Sequence, residues 1–171
     1  MPVKEVPVKN SASNFHKVGA FHRAFSLPVE PKPVVPDDAT VRLRLALLLE
    51  EFHELAEATC QNASDSQQAF LGTLAQAREQ LEALGGFQVD LVEVADALTD
   101  INYVTYGAGH TFGIDLNACC EEVHRSNMSK LGADGKPVKD ARGKVLKGPA
   151  YSPPSLAPLL AAQAGGECGA E

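Results

Sequence analysis

The chain has 171 residues, 44% of them apolar and 22% charged, with a net charge of −7. Such proportions fit one globular domain, long enough to bury a core without disulfides. They exclude the basic surface of a nucleic-acid-backbone binder, and no apolar run reaches the ~18–20 residues of a membrane span.

The opening MPVKEVPVKN lacks the apolar stretch of a secretory signal, so the expected location is cytoplasmic. A small phosphorylated ligand stays compatible with the acidic balance, because divalent metals can supply the positive charge. Cys60, the adjacent Cys119 and Cys120, and Cys168 show no C-x-x-C spacing, and they read as reduced thiols rather than a zinc or redox motif.

In chain order, residues 1–36 read as a proline-punctuated N-terminal arm around the apolar FHKVGAFHRAF. All eleven prolines lie outside residues 37–136, as a helical domain requires, since an interior proline costs ~3 kcal/mol. Residues 37–132 are therefore expected to form the helical domain. Asp37 or Asp38 caps a first helix that runs to about Thr59. Ser64 or Asp65 caps a second, which runs to about Leu84 and stops at Gly85-Gly86. A third spans about Val89 to Tyr106 and ends at GAGHTFG, and a fourth runs from near Asp115 to Gly132. Residues 133–154, with GKPVKDARGKVL as a small hairpin, make an irregular tail, and 155–171 are expected to fray. Four helices with short connections read as an all-α antiparallel four-helix bundle.

Carboxylates interrupt the most apolar segment, LALLLEEFHELAEA (residues 45–58). Glu50, Glu51 and Glu54 share a side of the first helix, while Glu93, Asp96 and Asp100, at i, i+3 and i+7, fall in a stripe about 60° wide on the third. Apolar residues surround both stripes: Leu47, Leu48, Phe52 and Leu55 on one, Val92, Leu98 and Ile101 on the other. Two readings stand side by side. The acids are solvated faces, or they converge on hard divalent cations that take all-oxygen ligands. A further metal reading takes Glu50-x-x-His53 and Glu121-x-x-His124 as di-iron elements, with Glu93 and Glu79 or Glu82 as the remaining ligands.

EEFHE followed by an acidic helix resembles the E-E-x-x-E … E-x-x-D signature of the all-α nucleoside triphosphate pyrophosphohydrolases. DINYVTYGAGHTFGIDLNACCEEVHRSNMSKLGADGKP is similar to the MazG-like and phosphoribosyl-ATP-pyrophosphohydrolase-like branch, which includes dUTP-hydrolysing members. FHRAF and KVLKGPAYSPP also fit that branch, so the likeness covers about residues 15–155.

The resemblance implies a four-helix fold in a homodimer or homotetramer, with Mg²⁺ (Mn²⁺ as a substitute) held between the first and third helices. It implies cleavage of a nucleoside triphosphate to the monophosphate and pyrophosphate. Carried over by position, Glu50, Glu51 and Glu54 match the first acidic motif. Glu93-x-x-Asp96 satisfies the second literally, whereas Asp100, ahead of Ile101-Asn102-Tyr103, matches its register, with Asp96 one turn before it. The metal set is thus Glu51, Glu54, Glu93, Asp96 and Asp100, and Glu50 or Glu51 takes a proton from the attacking water.

Arg125, Asn127 and Lys130 resemble the family's phosphate contacts. Lys130 can instead complement the helix C-terminal dipole, and Arg125 can pair with Glu121 or Glu122. Tyr103 serves phosphate, base or core; Phe21 and His22 serve a base or a packed arm. The related readings are hydrolysis of phosphoribosyl-ATP or a modified nucleotide, and a non-enzymatic helical dimerisation protein whose acids are structural.

Overall fold

The computed structural model describes residues 13–140 and 145–165. The fold is all-α, with six helices among the described residues: α1 Asn14–Ala24, α2 Asp38–Thr59, α3 Asp65–Leu81, α4 Leu91–Phe112, α5 Leu116–Met128 and α6 Leu156–Gly165. By internal contacts the chain divides into two units, Lys32–Ala97 and Met1–Pro31 with Leu98–Glu171. No described helix is long and apolar enough to cross a membrane.

In the unit Lys32–Ala97, α2 and α3 form an antiparallel hairpin. The Asp37 carboxylate caps α2 by accepting from the Thr40 backbone N–H at 2.8 Å. Asp38 does a different job, accepting from the backbone N–H groups of Gly86 and Phe87 just beyond α3. Gly86 sits there at φ +70°, a left-handed conformation that glycine adopts without strain. At the other end of the hairpin, the Gln67 side chain accepts from the Ser64 N–H at 2.9 Å, half of a capping box. The less exposed stripe of α2 holds Arg42, Ala46, Leu49, His53 and Ala56, small or polar side chains apart from Leu49. The large apolar residues Leu43, Leu45, Leu47, Leu48, Phe52 and Leu55 all stay exposed. The apolar pattern of α2 therefore does not face its neighbour in the hairpin.

In the other unit, α1 packs on α5. The buried Lys17 ammonium pairs with Glu121 and donates to Asn14 Oδ1 at 3.2 Å. The Asn14 amide donates to the Tyr106 hydroxyl at 2.7 Å and to Asn117 Oδ1 at 3.0 Å. Phe25 is fully buried, stacked on Phe21 at 4.3 Å between ring centroids. The tail makes isolated antiparallel bridges, Leu131 with Pro137 and Lys139 with Val145; residues 141–144 of the expected hairpin lie outside the described residues.

Three boundaries differ from the sequence expectation. The arm contains a helix, capped at Ser13 and stopped where Ser26 turns to φ +51°. The helix containing the second acidic stripe does not end at Tyr106 but continues through two glycines to Phe112. Gly109 is buried there against Leu116, where a side chain would collide, so the glycine is a close approach and not a stop. The stop is Gly113, at φ +68°. Finally, residues 156–165 are helical although Pro158 lies among them. It occupies the first turn, where the missing N–H has no intrahelical partner to lose.

Gly148 has a steric reason of its own. Its N–H donates to the Lys130 carbonyl at 3.0 Å, and a Cβ would overlap the Leu131 carbonyl. Gly148→Ala is expected to destabilise the fold by about 1–3 kcal/mol, read as a shift in urea midpoint at unchanged slope.

Candidate active site

Chemistry on this chain would have to start from its carboxylates, and the structure sorts them by partner. Glu50, half-buried at the edge of the α2–α3 contact, pairs with Arg78 Nη2 at 3.3 Å. Glu51 and Glu54 are exposed one turn apart on α2, beside the exposed Leu43 and Leu47. Glu57 faces His53 at 3.8 Å, and the His53 side chain is largely covered in the hairpin.

On α4, Glu93 and Asp96 lie in the unit Lys32–Ala97, and Asp100 lies just past its boundary. All three are exposed. Among the described residues Glu54, Glu93, Asp96 and Asp100 have no ion-pair partner. Around these acids α4 exposes Val92, Val94, Leu98, Ile101, Tyr103, Val104, Tyr106 and Phe112. Tyr106 uses its hydroxyl to hold Asn14, whereas the Tyr103 ring is 80% exposed.

Within this one chain no group of three or more His, Cys, Asp or Glu side chains among the described residues is gathered into a metal cage. The donor set still suits a hard cation: six carboxylates, all oxygen, most of them open to water. The two Glu-x-x-His elements fall in different units, with Glu121 tied to Lys17 and His53 turned into the hairpin.

The phosphate candidates sit at the C-terminal end of α5, whose start is capped by Asp115 accepting from the N–H groups of Asn117 and Ala118. Lys130 Nζ donates to Asn127 Oδ1 at 2.7 Å, which leaves the Asn127 amide hydrogens and the other ammonium hydrogens for a ligand. Arg125 is engaged within the chain. It grips Glu122 through Nε at 2.8 Å and Nη2 at 2.7 Å, and reaches the Pro153 carbonyl at 3.1 Å.

One group escaped the sequence reading. Arg78, the ion-pair partner of Glu50, is the lone cation of α3, set one turn from the apolar Leu74 and Leu81. Ser129 lies in the VHRSNMSK stretch that carries the family likeness, and its hydroxyl bonds the tail.

The helical architecture, with carboxylates on two of its helices, is that of the all-α nucleoside triphosphate pyrophosphohydrolases, the MazG-like superfamily. Within that class the chain belongs to the phosphoribosyl-ATP pyrophosphohydrolase family, whose model matches residues 18–127. A crystal structure described as a "putative NTP pyrophosphohydrolase" from Exiguobacterium sp. 255-15 aligns with a TM-score of 0.66 at 26% identity, covering 91% of this chain and 95% of that one. An uncharacterized protein of Acanthamoeba polyphaga mimivirus is 30% identical over 130 residues, 74% of this chain. The chain spans 39% of that viral protein's length.

The Glu122–Arg125 pair makes the stability of the fold depend on pH. The hydrogen bond from Arg125, then that from the Ser155 N–H, hold the Glu122 carboxyl down at about 2, and the same bond to Glu122 raises Arg125. A carboxyl lowered on folding contributes stability above its ordinary value of 4.5, and that contribution is lost as pH falls towards about 2. Glu122→Gln should therefore lower Tm relative to wild type at pH 7, with the gap closing between pH 4.5 and 2. A gap that stays constant with pH would contradict this assignment.

Proposed function

We propose that the protein is a Mg²⁺-dependent nucleoside triphosphate pyrophosphohydrolase of the cytoplasm, releasing the monophosphate and pyrophosphate, with dUTP or another pyrimidine or non-canonical dNTP as its favoured substrate. The observation that carries this is the pairing of exposed carboxylates with exposed apolar surface on both α2 and α4. A solvated acidic face would not need Leu47, Phe52, Leu98 or Ile101 beside it. We propose that a second copy of the chain covers that apolar surface, so that the enzyme works as a homodimer or a dimer of dimers. Homo-oligomers bury apolar faces of this kind, and burying one large side chain contributes ~1.5–3 kcal/mol.

In this reading Glu51, Glu54, Glu93, Asp96 and Asp100 hold the metal, which when bound supplies charge neutralisation for the triphosphate and acidifies a water. Glu50 or Glu51 takes the proton. Arg78 holds Glu50 in an ion pair. Asn127 donates to phosphate and Lys130 meets it as a point charge. Tyr103 is placed on the substrate side because its ring is among the most open in the chain. Membership of the phosphoribosyl-ATP pyrophosphohydrolase family supports the reaction class, and it makes phosphoribosyl-ATP the second substrate to test.

Two outcomes are expected. Mg²⁺ at saturating concentration should raise the Tm of wild type and leave that of Glu54→Gln unmoved, while the variant keeps its fold and loses at least about a hundredfold in pyrophosphate release. Equal Mg²⁺ response in both, or activity retained in the variant, would sink the metal assignment. Sedimentation equilibrium should return a multiple of the 18.1 kDa chain mass, and a stable monomer at micromolar concentration would overturn the dimer.

A further inference from the structure

We propose that residues 148–155 form a strap whose role is to position the phosphate-binding end of α5, with Glu122, Arg125 and Ser129 as its positioning residues. This rests on the nucleotide-hydrolysing reading above, in which Asn127 and Lys130 meet the phosphates.

Backbone and side-chain bonds tie this segment to α5 along more than two turns. The Gly148 N–H donates to the Lys130 carbonyl at 3.0 Å, and the Ser152 N–H donates to Ser129 Oγ at 2.9 Å. Ser129 in turn donates to the Ser126 carbonyl at 2.7 Å, so one hydroxyl joins the last turn of the helix to the tail. Further back, Arg125 bonds the Pro153 carbonyl, and the Ser155 N–H donates to Glu122 Oε1 at 2.7 Å.

The chemistry of the segment suits a strap. The last carbonyls of a helix lack intrahelical donors; the Ser126 carbonyl finds its donors locally in the Ser129 N–H and hydroxyl, whereas the Lys130 carbonyl, two residues past the helix, takes the N–H of the distant Gly148. A local glycine cap would have met that need without a distant segment. What the distant segment adds is direction: it bonds the helix at Glu122 and again at Lys130, so the end of α5 has little freedom to swing. Pro153 and Pro154 restrict the backbone of the segment before it docks, which reduces the entropy lost on ordering it.

The same geometry reassigns Arg125. Two of its three guanidinium nitrogens are committed to Glu122, and one of these also reaches the tail. Its planar fork matches the Glu122 carboxylate through two bonds, a match that an ammonium cannot reproduce. Arg125 therefore acts on phosphate through the placement of Asn127 and Lys130, not by contact.

The test is a double-mutant cycle on the full chain, reading KM and kcat for pyrophosphate release from the nucleotide that wild type hydrolyses best. Arg125→Ala and Glu122→Ala should each raise KM by about three- to tenfold with kcat within about twofold, the scale of one or two lost hydrogen bonds. The double variant should match the worse single variant, as for two groups acting as one unit. Arg125→Lys should be as impaired as Arg125→Ala. If Glu122→Ala fails to fold, Ser129→Ala removes the hydroxyl that bonds Ser152 and the Ser126 carbonyl, and should raise KM in the same way.

Multiplied effects in the double variant, or a wild-type KM in Arg125→Lys, would show a direct charge contact with phosphate and overturn the strap while leaving the functional reading intact. Wild type that releases no pyrophosphate from any nucleotide overturns that reading, and this inference with it. Faster amide exchange at residues 129–131 in Glu122→Ala is expected of the strap, and unchanged exchange refutes it.

Discussion

A helix as apolar as α4 cannot rest in water with its large side chains open. Val92, Leu98, Ile101, Val104 and Phe112 are each about two-fifths or more exposed, and α2 adds Leu43, Leu47, Phe52 and Leu55 in the same condition. Among the described residues only Phe25, Ala56 and Leu81 are buried apolar side chains, a small core for a chain of this length. In the proposed homodimer the second copy would cover that surface, and the carboxylates that interrupt it would leave bulk water with it, where repulsion between them grows and a divalent cation becomes the favourable companion.

In the hairpin, the α2–α3 contact leaves Leu43, Leu47, Phe52 and Leu55 of α2 exposed. Arg78 enters from α3 to pair with Glu50. The strap does the equivalent for α5, holding Asn127 and Lys130 at the end of a helix that would otherwise fray.

Much of the fold is legible in the amino-acid sequence. The absence of proline between 37 and 136 marks the helical stretch, and the caps at Asp37, Ser64 and Asp115 locate the starts of three helices, because each signal has a direct backbone cause. The features that stay hidden have causes of their own. Gly107 and Gly109 read as a terminus, since nothing local reveals that Leu116 packs where a side chain would stand. Pro158 argues against α6 because a proline's penalty depends on the turn it occupies. The short α1 has a buried lysine where an apolar residue would have announced its face.

The two acidic stripes stand out in the sequence, but what covers the exposed Phe52 and Ile101 does not, because periodicity says which face is apolar and not what covers it. Arg125 shows the same limit at one side chain. Its likeness to a phosphate contact comes from its place in a motif, and its bond to the Pro153 carbonyl comes from a tail almost thirty residues away.

The most direct test of the central claim is to incubate the full chain with Mg²⁺ and a panel of canonical and damaged (d)NTPs, resolving pyrophosphate from orthophosphate. Equimolar monophosphate and pyrophosphate are expected from at least one nucleotide, with no orthophosphate at early times. Orthophosphate as the sole product, or no turnover across the panel including phosphoribosyl-ATP, would contradict it.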